Sequence, residues 1–177
     1  APTATATYGD TLQKAAINDT SAVVQASEND QTPVTGMWAW KEPNTSVGNV
    51  KDANKFVAVF TPANDVADTY DIVEAEIPVT VNPKSLTVNV TVSPTSKPYD
   101  GSALSPDTIT VSATDGTELT KDKDYTVEYT PITNVGEATI TVKPKDGSNY
   151  TFDEVTKKFE VTKKTATITI TPNTAVT

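Results

Sequence analysis

"KSLTVNVTVSPT", Lys84–Thr95, decides the reading of this chain, because "KTATITITPNT" from Lys164 writes nearly the same phrase 80 residues later. Between Leu86 and Val92 the first copy alternates strictly. Leu86, Val88, Val90 and Val92 fall on one face, and Thr87, Asn89 and Thr91 on the other. That is the period of a β-strand with one wet face. The stretches "DTITVSA", "DYTVEYT", "EATITVK" and "KKFEVT" repeat the alternation. Asp115-Gly116 and Asp146-Gly147 supply turn chemistry between strands, since glycine accepts a positive φ.

Working outward, the same offset lays Val81 on Val161, Leu86 on Ala166, Val88 on Ile168 and Val90 on Ile170. It also lays Tyr70 on Tyr150 and Ile72 on Phe152. Upstream, "FVAVFTP" (Phe56–Pro62) faces "ATITVKP" (Ala138–Pro144), and "YGDTL" at Tyr8 is similar to "YDGSAL" at Tyr99. A period of this size is that of a small domain and not of a solenoid repeat. The expectation is two tandem β domains, residues 1–84 and 85–164. Residues 165–177 are then either the opening strand of a third copy or the last strand of the second domain.

Composition agrees with an all-β chain. The 177 residues include 33 Thr with many Val and Ile, β-branched types suited to a pleated sheet. Strands of this length with frequent turns predict an Ig-like sandwich. "DTLQKAAIND" reads as one short helix capped by Asp10 or Thr11, with Leu12, Ala15 and Ala16 inward, which leaves a β-grasp-like arrangement as the alternative for the N-terminal domain. The expected core aromatics are Trp38 or Trp40, Phe56 and Phe60 in the first domain. In the second they are Tyr125, Tyr129, Tyr150, Phe152 and Phe159.

The chain has no Cys, His or Arg, and its 14 basic residues are all Lys. Disulfides, thiolate nucleophiles and imidazole proton transfer are therefore excluded. The usual zinc and copper ligands are missing. A net charge of −9 argues against nucleic acid and anionic membrane surfaces as partners. No apolar run reaches the ~20 residues needed to span a bilayer, and the first residues do not read as a signal-peptide pattern. The chain opens in strand-like text, as an excised piece of a longer protein would.

Several side-chain groups invite a functional reading. Trp38 and Trp40 lie two apart in "GMWAWKEP", hence on one strand face, where exposed rings could stack on sugars; the plainer reading makes at least one of them core. Asp65, Asp68 and Asp71, and Asp122 with Asp124, carry oxygen ligands of the kind calcium takes, but without EF-hand spacing, so solvated surface is the plainer account. Lys55 or Lys143 with Asn134 or Asn149 could form an amide crosslink, though no spacing singles out a pair. Glu128 is the best single carboxylate for glycoside chemistry, and it falls opposite Val127, toward solvent. Sequons stand at Asn18, Asn44, Asn89 and Asn149. No catalytic, metal or cofactor site is expected, and Trp38 and Trp40 are the candidate ligand-binding residues.

The second half resembles the YDG-type, MBG-like repeats of Gram-positive bacterial surface proteins. The residues that carry the likeness are Tyr99-Asp100-Gly101, Asp124-Tyr125-Thr126-Val127, Asn134-Val135-Gly136-Glu137-Ala138-Thr139 and Gly147-Ser148-Asn149-Tyr150. The first half is similar to related modules through Tyr8-Gly9-Asp10-Thr11-Leu12 and the Gly36–Trp40 strand; the stretch Gln25–Val34 is a longer insertion. The resemblance implies tandem modules of a large secreted or wall-attached protein, serving as monomeric spacers whose partners are neighbouring repeats. Its alternative is an adhesin-type unit for a glycan or host protein. It brings no catalytic residue and no cofactor.

Overall fold

The computed structural model describes residues 2–18, 29 and 32–170. Among them the chain is all-β, its one helical turn being a 3-10 turn at Leu12–Lys14. The strands of the first half are β1 (Thr3–Thr7), β2 (Ile17–Asn18), β3 (Gly36–Trp40), β4 (Lys55–Pro62) and β5 (Val73–Asn82). They form one sheet in the order β2-β1-β5-β4-β3. Its central pair, β1 and β5, is parallel, with Ala4 beside Val79 and Thr7 beside Asn82; the other pairs are antiparallel.

The second half follows with β6 (Lys84–Ser85), β7 (Val88–Ser93), β8 (Ser96–Pro98), β9 (Thr108–Ala113), β10 (Tyr125–Glu128), β11 (Gly136–Pro144), β12 (Tyr150–Thr151) and β13 (Val155–Thr162). A four-stranded sheet runs β10-β11-β13-β8, and β7 pairs with β9 in a separate antiparallel ribbon. The two face each other across a shared interior. Val90 of β7 and Val111 of β9 pack with Val142 of β11, and Val92 packs with Ile140, Phe159 and Val161. The alternation read from "SLTVNVTV" holds: Leu86, Val90 and Val92 are buried, Val88 half-buried, and Thr87, Asn89 and Thr91 exposed. The phrase nonetheless does not continue as one strand. The Ser93–Pro94 peptide is cis, and beyond it the chain crosses from the ribbon to the four-stranded sheet.

Four strands of each half pair in the same order. The order β1-β5-β4-β3 matches β8-β13-β11-β10, and the strand entering from the N-terminal side is parallel to its neighbour in both. The Tyr8 amide donates to Asn82 O at 2.8 Å, and the Tyr99 amide donates to Thr162 O at 2.9 Å. Leu12 N donates to Thr45 O, and Leu104 N to Ile132 O, each tying the turn after the tyrosine to the loop between the last two strands of the path.

The structure corrects parts of the sequence register. Phe56 pairs with Ile77, and Ile140 pairs with Lys157, so Phe56 corresponds to Ile140 and not to Ala138. The slip is of two residues and leaves the inward face unchanged, which is why periodicity alone did not detect it. Ile72 is exposed whereas Phe152 is buried, so the likeness between those two fails. The expected helix shrinks to the 3-10 turn. Leu12 and Ala15 are inward but Ala16 is exposed, and Thr11 at the N-cap makes no side-chain cap bond. Tyr129 is exposed, unlike Tyr125, Phe152 and Phe159, because it lies beyond the end of β10. The insertion Gln25–Val34 falls largely, and residues 171–177 fall wholly, outside the described residues.

Candidate functional site

Trp38 and Trp40 sit on the edge strand β3 and face the same way, toward β4 neighbours. The Trp38 ring lies 5.3 Å from that of Phe60, its direct cross-strand partner. Phe60 in turn leaves no room for a Cβ at Gly36, so the glycine that opens β3 is what lets the ring settle there. Trp40 packs on the first-half core, edge-on to Phe56 at 6.4 Å, and its indole N–H donates to Ala15 O at 2.7 Å. Both rings are half-buried, while Met37, on the opposite face, is 77 % exposed. The pair is thus brought together as the sequence predicted, with Trp40 fixed by a hydrogen bond that a core tryptophan needs.

The acidic stretches separate into two kinds. Asp65, Asp68 and Asp71 are exposed. Asp124 is buried, against the expectation of a solvated surface residue. Its carboxylate accepts the Thr120 amide at 2.8 Å and the Ser148 hydroxyl at 3.2 Å, and its backbone oxygen accepts the Lys145 amide. Asp122 adopts φ +65°, and Lys145 Nζ donates to its carbonyl. "KDKDY" is therefore a pinned turn in which one carboxylate replaces a missing backbone partner. Among the described residues no three acidic side chains gather as a metal site would require.

Glu128 is exposed and forms an ion pair with Lys143 at 2.7 Å, which holds the lysine above its ordinary pKa. It borders an open groove of about 530 Å³ with Tyr129 and Ile132, and it is the one carboxylate on that groove's wall. Lys55 is exposed, and Asn149 is engaged elsewhere, as follows.

A group of unlike contacts lies where the halves meet, and sequence reasoning missed it. β6 pairs in parallel with β12, through Lys84 N to Asn149 O at 2.9 Å and Leu86 N to Thr151 O at 2.8 Å. The Asn149 side chain then reaches the other half. Its oxygen accepts the Val50 amide at 3.0 Å, and its amide donates to Asn49 Oδ1 at 2.9 Å. The Tyr150 ring meets Tyr8 edge-on at 5.4 Å. Burial first, and then Tyr8, raises the Tyr150 phenol above its usual pKa. Lys84 Nζ contacts Asp115 at 3.0 Å, and Lys51 Nζ donates to Asp146 O. The Gly-x-Asn-Tyr motif held the signal for this joint, but its partners lie about a hundred residues away in sequence. Comparison with family profiles, with curated proteins and with solved structures finds no match for this chain.

Proposed function

We propose that the chain is a non-catalytic spacer of a bacterial cell-surface or secreted protein, built from two tandem modules of one Ig-like plan joined end to end at Pro83. The observation that carries this reading is the joint itself. A neutral hydrogen bond contributes on the order of 0.5–1.5 kcal/mol, and an aromatic pair a similar amount. The Asn149 clamp and the Tyr8–Tyr150 contact together therefore favour one relative orientation by roughly a few kcal/mol, enough to populate it at least tenfold over others. A spacer needs this property, since a freely hinged connection transmits distance poorly. The YDG-type likeness of the second half points the same way.

A second reading, an adhesin unit for a glycan or host protein, draws on the edge strand β3, where Trp38 is half-buried and Met37 exposed. Two measurements decide between them. Small-angle X-ray scattering of the whole chain should give an elongated particle with little spread in the inter-module angle, and Asn149→Ala should broaden that spread. Glycan-array and host-protein binding that is strong in the native chain and lost in Trp38→Ala would overturn the spacer reading in favour of the adhesin. Trp38 is the better probe because Trp40 also supports the core.

A further inference from the structure

We infer that the far end of the second half, made by Tyr99, Val135 and the Thr162–Lys164 exit, is a docking surface for one more unit of the same plan, received as Tyr8 receives Tyr150. The inference rests on the spacer reading and extends it to a specific surface. Tyr8 follows Thr7, the partner of Asn82, and the chain leaves through Pro83 to Lys84. Tyr99 follows Pro98, the partner of Thr162, and the chain leaves through Lys163 to Lys164. Both tyrosines fix their position by donating an amide to the last residue of the neighbouring strand. Tyr8 is covered by Tyr150, whereas Tyr99 is 38 % exposed, and among the described residues no ring lies against it.

The strand on the other side of the exit gives independent support. Val135 precedes Gly136, the partner of Val161, so it stands on the same rim as Tyr99, across the end of β13. It is 50 % exposed. In the first half the loop on that side presents Val50, whose amide Asn149 reads. Beyond Lys164, Ile168 and Ile170 correspond to Val88 and Val90 of the ribbon, yet they are 84 % and 85 % exposed where Val90 is 7 %. Two isoleucines at alternate positions of such a segment are spaced to close a sandwich that a further unit would supply. Lys164 repeats Lys84, whose ammonium meets Asp115 in the turn after β9. The occupant is therefore defined chemically. It carries an Asn-Tyr turn to cover Tyr99, an aspartate to meet Lys164, and an unfilled strand position for "TATITI".

The test appends a second copy of residues 91–164 after Ile170 of this chain, so that "TATITI" supplies the first strand of the added unit, and follows 15N relaxation of the three units. The expected result is one shared rotational correlation time. Tyr99→Ala should release the added unit alone, and Tyr8→Ala should release the first half alone. Tyr150→Ala in the added copy should repeat the effect of Tyr99→Ala from the other side. An added unit that folds but tumbles separately, while the original halves remain coupled, overturns this inference and leaves the spacer reading standing. Coupling that persists in Tyr99→Ala overturns it as well. Separate tumbling of the original halves would sink the two together.

Discussion

Val79 in the first half and Phe159 in the second occupy the same place on the same strand, yet one is a small side chain and the other the largest fully buried one among the described residues. The rest of each interior compensates. Around Val79 the core is built from Ala4, Ala6, Leu12, Ala15, Val47 and Val81, and it is closed from the rim by Trp40, Phe56 and Tyr8. Around Phe159 the neighbours are Val92, Ile140 and Val161, and a whole ribbon, β7 with β9, covers them. On the adjacent strand the exchange reverses, with Phe56 in the first half where the second has Ile140. Volume is conserved over the layer and not position by position, as close packing requires. One backbone path thus tolerates two fillings, provided that something covers the sheet.

The difference can be broken most forcefully at the aromatic itself. Phe159→Ala removes a ring that is 1 % exposed and should destabilise the second half by about 3–5 kcal/mol. The readouts separate the halves, because Trp38 and Trp40, the chain's two tryptophans, both lie in the first. Far-UV circular dichroism should acquire an early transition while the tryptophan-fluorescence midpoint in urea moves little. A single transition shifted equally in both signals would mean that the halves unfold as one body, and the contrast drawn between their interiors would lose its meaning.

The reciprocal change is Leu12→Ala. Leu12 is 1 % exposed on the 3-10 turn and is the largest aliphatic side chain of the first core, so its truncation should cost about 2–5 kcal/mol. Here tryptophan fluorescence should report the loss first. The position also shows how much of the fold was legible beforehand. Leu12 and Leu104 were matched through their tyrosine motifs, and both do meet the loop between the last two strands of the path. Strand identity and inward faces followed from alternation, since period-2 burial acts residue by residue. Three things did not follow. The parallel pairing of β1 with β5 joins strands some seventy residues apart, and nothing local encodes it. The crossing from the ribbon to the four-stranded sheet comes just after the alternating phrase ends at Ser93, and nothing in the alternation announces it. The partners of Asn149 lie on a loop, Lys41–Asn54, that is much longer than its counterpart Tyr129–Val135, so no repeat alignment could place them.

A smaller effect sharpens the contrast at the turn that leads into β10. Asp124→Ala leaves the Thr120 amide and the Ser148 hydroxyl without their acceptor inside the turn, and should cost about 1–3 kcal/mol. Its place on the path corresponds to Met37, the most exposed large hydrophobic side chain among the described residues of the first half, where an alanine should change stability by less than about 0.5 kcal/mol. Urea midpoints for both variants check this. Equal losses would show that Asp124 acts only as a solvated residue of the turn, as its sequence context suggested.

The smallest effect concerns the joint, and acid exposes it. The Asp115 carboxyl, ordinarily near 3.8, is pulled down to about 2, first by the Thr117 backbone amide, then by the Thr117 side chain and by Lys84. A carboxyl depressed in the folded state binds its proton more readily once unfolded, so its contribution is complete above about pH 4 and is lost as the pH falls through 2. Asp10 and Asp100, lowered by Lys14 and by Ser102 respectively, add to the same loss, one in each tyrosine turn. Asp115 differs from both in joining the β9 turn to Lys84, the first residue past the exit from the first half. Asp115→Asn should therefore lower the melting temperature slightly at pH 7 and flatten its fall between pH 4 and pH 2. Added salt should reduce the Lys84 part of that difference while leaving the Thr117 bonds in place. If the acid slope of Asp115→Asn matches that of the native chain, Lys84 is held at the joint by its backbone pairing with β12 and not by its charge, and the resemblance between Lys84 and Lys164 then reflects strand geometry alone.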